Sequence, residues 1–136
     1  MTASLPFLSP AVQRTLPIRN AWIARTNIRV FNDAVNDWRP FVGGKDVRVR
    51  YSRYETGFDF SGYPSTILGP FTMIETSNAG WYYYPIGADE ITIAFSALVG
   101  QTVYQIIEAA YGGGYYYFGL GTAEPLLVIE PRVPLQ

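Results

Sequence analysis

The chain contains no cysteine and no histidine, and its only lysine is Lys45. Without cysteine there is no disulfide framework, no thiol nucleophile and no thiolate metal site. Without histidine the commonest general base is missing, and with it a Ser-His-Asp arrangement. Carboxylate chemistry survives this elimination. Long apolar runs are lacking too: none approaches the roughly 20 residues of a membrane-spanning helix. The opening "MTASLPFLSPAVQRTLP" has no cationic start and is interrupted by Pro6 and Pro10, which makes it a poor secretory signal. Charge is scarce, at 15% of 136 residues, a length that fits one domain able to fold without covalent staples.

Aromatic residues are abundant instead, at 16%, with eleven tyrosines. Rings left on the outside form sticky patches. Tyrosine suits positions that are apolar at one end and wet at the other, in cores and at interfaces. The net charge of −1 predicts neither a nucleic-acid partner nor an anionic membrane, but its distribution is uneven. Residues 1–58 hold nine cations against four acids, and residues 59–136 hold Arg132 against seven. Such halves fit complementary strands inside one sheet, or opposite faces that meet head to tail in an assembly. Nine of the ten cations are arginine, which suits fixed bidentate contacts.

Residues 1–18 carry Pro6, Pro10 and Pro17 among Leu5, Phe7, Leu8, Val12, Leu16 and Ile18. That proline density forbids a helix and predicts an extended apolar arm, lying on its own domain or on a neighbour. From residue 19 onward a single β domain is expected. "TNIRVFND" and "DVRVRYSR" alternate apolar and polar residues with period two. This places the arginines of both runs on a solvent-facing surface. The segment "NDAVNDWRPFVGGKD" between them reads as a turn-bearing connection, and "YETGFDFSGYP" as a loop. "STIL" and "FTMIE" read as short strands broken at Gly69-Pro70, "WYYYP" as a strand stopped by Pro85, and "GADE" as a turn. "ITIAF" alternates Ile91, Ile93 and Phe95 against Thr92 and Ala94, which predicts a strand. "TVYQIIEA" fits strand or helix, and the glycines after it favour strand. "PLLVIEP", bounded by Pro125 and Pro131, reads as an edge strand. No segment reads convincingly as helix. The fold class is therefore all-β: an antiparallel β-sandwich of seven to nine short strands with an extended N-terminal arm, residues 1–18, on a domain of residues 19–136.

The stretch "AAYGGGYYYFGLG" tests several functions at once. A dinucleotide fingerprint starting at Gly112 and Gly114 needs a glycine at Tyr117, and a phosphate loop ends in Gly-Lys-Ser/Thr, whereas the only lysine, Lys45, lies far from this stretch. Its rings have no arginine or lysine beside them, so phosphates find no partner there. It reads as a hairpin in which Tyr115 and Tyr117 face one way, and Tyr116 and Phe118 the other. In "WYYY", Trp81 and Tyr83 likewise oppose Tyr82 and Tyr84. "NDAVND" lacks the spacing of a calcium loop. Asp59 and Asp89-Glu90 would form a glycosidase pair only if folded about 5–10 Å apart. No cofactor and no metal is expected.

The order "TNIRVFND…W.PFVGGKDVRVRYSR…TILGPFTMIETSNAGWYYYPI…ITIAFSALVGQTVYQIIEAA", roughly residues 25–110, resembles the Ig-like or upper-baseplate-like β-sandwich proteins of tailed-bacteriophage virions. That resemblance implies a non-enzymatic virion part, such as a capsid decoration, neck or tail component. Its partners would be copies of itself and other virion proteins, and it carries over no catalytic residue. The residues expected at subunit contacts are Phe7 and Leu8 in the arm, Arg25, Arg29, Arg48 and Arg50, and the rings of Trp81, Tyr83, Tyr115 and Tyr117. The rival reading is a carbohydrate-binding or receptor-binding sandwich that stacks sugars on the same rings.

Overall fold

A computed structural model describes residues 13–42, 47–111, 114–117 and 123–131, with the backbone alone for 110, 111 and 114–117. The centre of the larger sheet is made by β5 (Val47–Ser52) and β9 (Thr102–Tyr111). Alternation in "VRVRYS" sends Val47, Val49 and Tyr51 inward, and all three are fully buried. β9 pairs along one edge with β5, from Tyr104 to Ala109. Its other edge takes β11 (Glu124–Ile129) first and then β10 (Gly114–Tyr117), which returns antiparallel after the glycines. The two arms of the expected hairpin therefore pair, while residues 112 and 113 between them lie outside the described residues.

β1 (Arg14–Pro17) lies parallel to β11, and β6 (Leu68–Thr72) closes the far edge beside β5, giving the order β1-β11-β9-β5-β6. Proline has no ladder donor, so Pro70 on the edge strand β6 loses no hydrogen bond. β6 runs through Gly69-Pro70 rather than breaking there. β11 is not the edge strand expected from its prolines. It lies between β9 and β1, with Pro125 opposite Tyr104 of β9 and the pairing with β1 running from Leu126 to Ile129.

The smaller sheet has the order β2-β8-β7, with β2 (Trp22–Asn27), β8 (Trp81–Ile86) and β7 (Ile74–Glu75). β8 continues past Pro85 to Ile86, both paired with β2. Only Met73 separates β6 from β7, so one extended segment serves both sheets, as at the corner of a sandwich. The sheets meet across one core: Leu16, Val47, Val49, Tyr51, Val103, Leu126 and Val128 from the larger, Ala24, Tyr82 and Ile86 from the smaller. A polar bridge crosses this core. The Trp22 indole N–H and the Tyr51 hydroxyl both donate to Gln105 Oε1, at 3.0 and 2.8 Å. Burial pushes the Tyr51 phenol well above its ordinary value. The fold is thus all-β and sandwich-like, with eleven mostly short strands among the described residues.

One segment departs from that class. "ADEITIAF" is a helix, α1 (Ala88–Phe95), where a strand was expected. Ile91 and Phe95 are four apart, so both periods put them on one side; Ile93 separates the two cases. It is 83% exposed while its neighbours at 91 and 95 are fully buried. Asp89 and Glu90 sit in the first turn, where the helix dipole favours acids.

Candidate functional site

The uneven charge is largely used inside the molecule. Arg14 pairs with Glu124, Arg19 with Glu130, and Arg48 and Arg50 with Glu108. Each pair joins a cation of the first half to an acid of the second, as complementary strands would. Arg48 and Arg50 are therefore not the solvent-facing residues expected from strand parity. The outer face of β5 is roofed by the loop of residues 53–66, so the same alternation that hides Val49 on one side hides Arg50 on the other. Arg50 Nε donates to Glu108 Oε1 at 2.8 Å, and its Nη1 to Gly57 O, Ser65 O and Thr66 Oγ1. Only 3% of Arg50 is exposed, and Arg48 is half-buried. The Arg50 guanidinium holds the roof, and Arg48 pairs with Glu108 beside it.

Arg25, Trp81 and Tyr83 are brought together. On β2 and β8 the register sets Arg25 opposite Tyr83 and Asn27 opposite Trp81, while Ile74 of β7 flanks Tyr83 from the other side. Parity turns these residues away from the core, into which Ala24, Tyr82 and Ile86 point. The outer face so formed holds a hollow of about 300 Å³ lined by Ile23, Arg25, Thr76, Trp81, Tyr82 and Tyr83. Ile23, Ile74 and Trp81 are each almost half exposed.

Arg29 lies further along, in the strand expected from "TNIRVFND". β3 (Arg29–Asn32) and β4 (Asp37–Pro40) pair only with each other, as a separate two-stranded ribbon. Its four-residue turn is held by Asn32 Oδ1, which accepts from Ala34 N, and by Asn36 at φ +52°, a conformation asparagine tolerates. Every residue from Phe31 to Arg39 is exposed. Phe31 and Trp38 are directly opposed, and their rings meet edge to face at 5.6 Å. Trp38 is 56% exposed. The connection "NDAVNDWRPFVGGKD" was expected to carry a turn, which it does, but the strand β4 within it was not expected. Its signal was the pair of Asn-Asp steps framing "AV", with an aromatic residue just outside each end.

Phe7 and Leu8 lie outside the described residues, as do the side chains of Tyr115 and Tyr117. Of the predicted arm, residues 14–17 form β1 within the chain's own sheet, with Leu16 and Ile18 buried. Among the described residues no group of His, Cys, Asp and Glu side chains could hold a metal ion, and no helix is long and apolar enough to cross a membrane. No protein-family model matches the chain, and no curated protein and no solved structure matches it.

Proposed function

We propose that this protein is a non-enzymatic structural subunit that assembles with copies of itself, in the manner of a tailed-phage virion component. The observation that carries this reading is the β3–β4 ribbon. A two-stranded ribbon is marginal in water unless something covers it. This one keeps a phenylalanine–tryptophan pair on one face and, among the described residues, has no third strand. On the same face as Phe31 stands Arg29, which has no ion pair among the described residues. Tryptophan and arginine are the side chains that most often dominate subunit contacts. A neighbour that covers the pair buries apolar surface at about 25 cal/mol per Å² without further chemistry. The resemblance to virion sandwiches, drawn from residues 25–110, supports a particle as the setting.

Sedimentation velocity on the full chain tests the reading. The wild type is expected to associate as concentration rises, into species of defined size visible by negative-stain microscopy. A Phe31→Ser/Trp38→Ser chain should remain monomeric with an unchanged circular dichroism spectrum. A wild type still monomeric at about 1 mM, an association weaker than about 4 kcal/mol, overturns the proposal.

A further inference from the structure

The hollow on the β2-β8-β7 face is a different kind of surface from the ribbon. It is concave and apolar-walled, and it gathers polar groups that have nothing to do inside the molecule. Among the described residues, the Arg25 guanidinium, the Trp81 indole N–H and the Tyr83 hydroxyl have no hydrogen-bond or ion-pair partner. None of the six lining residues is acidic. An apolar hollow with a few convergent polar groups is the general form of a small-ligand site, and about 300 Å³ is the lower end of the usual range.

We propose that this hollow binds a carboxylate-bearing sugar ring, of the uronic or sialic acid kind. Each part of such a ligand meets a matching group. The C–H face of a sugar ring carries slight positive charge and lies favourably on the negative face of an indole, here Trp81. The carboxylate takes the guanidinium of Arg25, whose planar fork suits two parallel hydrogen bonds. Ring hydroxyls exchange hydrogen bonds with the Tyr83 hydroxyl. The single cation argues against a nucleic-acid backbone, which is followed by rows of them. The lack of acid in the lining leaves the positive charge of Arg25 uncompensated, and that charge selects an acidic sugar over a neutral one.

The test uses oligogalacturonate and sialyllactose as acidic probes, a neutral galacto-oligosaccharide, and sodium acetate. Binding is read by titration calorimetry and by the Trp81 indole signal in ¹H–¹⁵N spectra. At least one acidic probe should bind saturably, about 10- to 100-fold tighter than the neutral sugar, the range of one charge-assisted contact. Arg25→Gln should reduce that probe to the neutral level, and Trp81→Ala should remove binding of both. Arg29→Gln, outside the lining, should leave it unchanged. Equal affinity for acidic and neutral sugars, acetate binding as tightly as the sugars, indifference to Arg25→Gln, or no saturable binding each overturns the assignment. The site does not depend on self-association, so the Phe31→Ser/Trp38→Ser chain should bind as the wild type does.

Discussion

Arg50 offers the sharpest perturbation of the fold. Its side chain is 4% exposed, its partner Glu108 is 6% exposed, and together they hold the 53–66 loop against the outer face of β5 and β9. Arg50→Met keeps most of the apolar stem but removes the charge and four hydrogen bonds. Stranding one member of a buried pair costs about 3–5 kcal/mol. Glu108 would still have Arg48 Nε at 3.2 Å, so the loss should fall near the lower figure, about 3 kcal/mol. Glu108→Leu removes the carboxylate from two guanidiniums at once and leaves a buried cation with only neutral acceptors. It should cost more, about 4–5 kcal/mol. Combining Arg50→Met with Glu108→Leu strands neither charge in the interior and should recover most of the loss.

Urea unfolding followed by tryptophan fluorescence gives all three values. The single variants should melt roughly 10–20 °C below the wild type, given the usual entropy of unfolding for a chain of this size. Limited proteolysis should cut the Arg50→Met chain within residues 53–66 before the sheets. A cost for Arg50→Met under about 1 kcal/mol, or a double variant that merely sums the singles, would refute the argument that the buried pair holds the roof.

Two further outcomes concern Tyr51 and the glycines of the roof loop. In the unfolded chain Tyr51 loses its proton near its ordinary value of 10.0, while burial keeps the folded phenol neutral beyond that. Its contribution is therefore complete below about pH 10 and is lost as pH rises further, at up to about 1.4 kcal/mol per pH unit. The difference in urea midpoint between wild type and Tyr51→Phe should shift in favour of the phenylalanine chain above pH 10; a constant difference would contradict the buried placement. Gly57 and Gly62 both have left-handed φ, +81° and +84°, yet a Cβ at Gly57 would stand 2.2 Å from Arg50 Nη2 and one at Gly62 would meet nothing within 4 Å. Gly62→Ala should thus cost only the backbone strain, about 1 kcal/mol, and Gly57→Ala clearly more, by thermal melting.

The strands themselves were legible from alternation and from β-branched residues running into turn residues. "DVRVRYSR" and "TVYQIIEA" became β5 and β9, and the two arms around the glycines paired as β9 and β10. Legibility failed where a second layer covered the polar side. Arg50 and Ser52 alternate with apolar residues as surface residues do, and only the tertiary position of a loop with no periodicity of its own buries them. It failed again at "ITIAF", where a five-residue window gives the two periods the same ends and only Ile93 differs. The candidate site was half legible. Parity put Trp81 and Tyr83 on one face of a strand, but that Arg25 stands opposite Tyr83 follows only from the β2–β8 register, which the sequence pattern does not contain. Of the ribbon, β3 was legible within "TNIRVFND", but β4 was read as connection because the Asx residues from Asn32 to Asp37 outweighed the few strand residues after them.

The parallel pairing of β1 with β11 has a consequence for how the chain is made. Arg14 and Glu124, 110 positions apart, are partners, and the first described strand has no seat until the last has left the ribosome. At about 5–20 residues per second, synthesis keeps Leu16 and Ile18 waiting for roughly 6–20 seconds with their greasy side chains uncovered. Nascent copies crowded on one messenger RNA would face each other during that interval, and a chaperone that shields the early segment should raise the yield of correctly closed sheets.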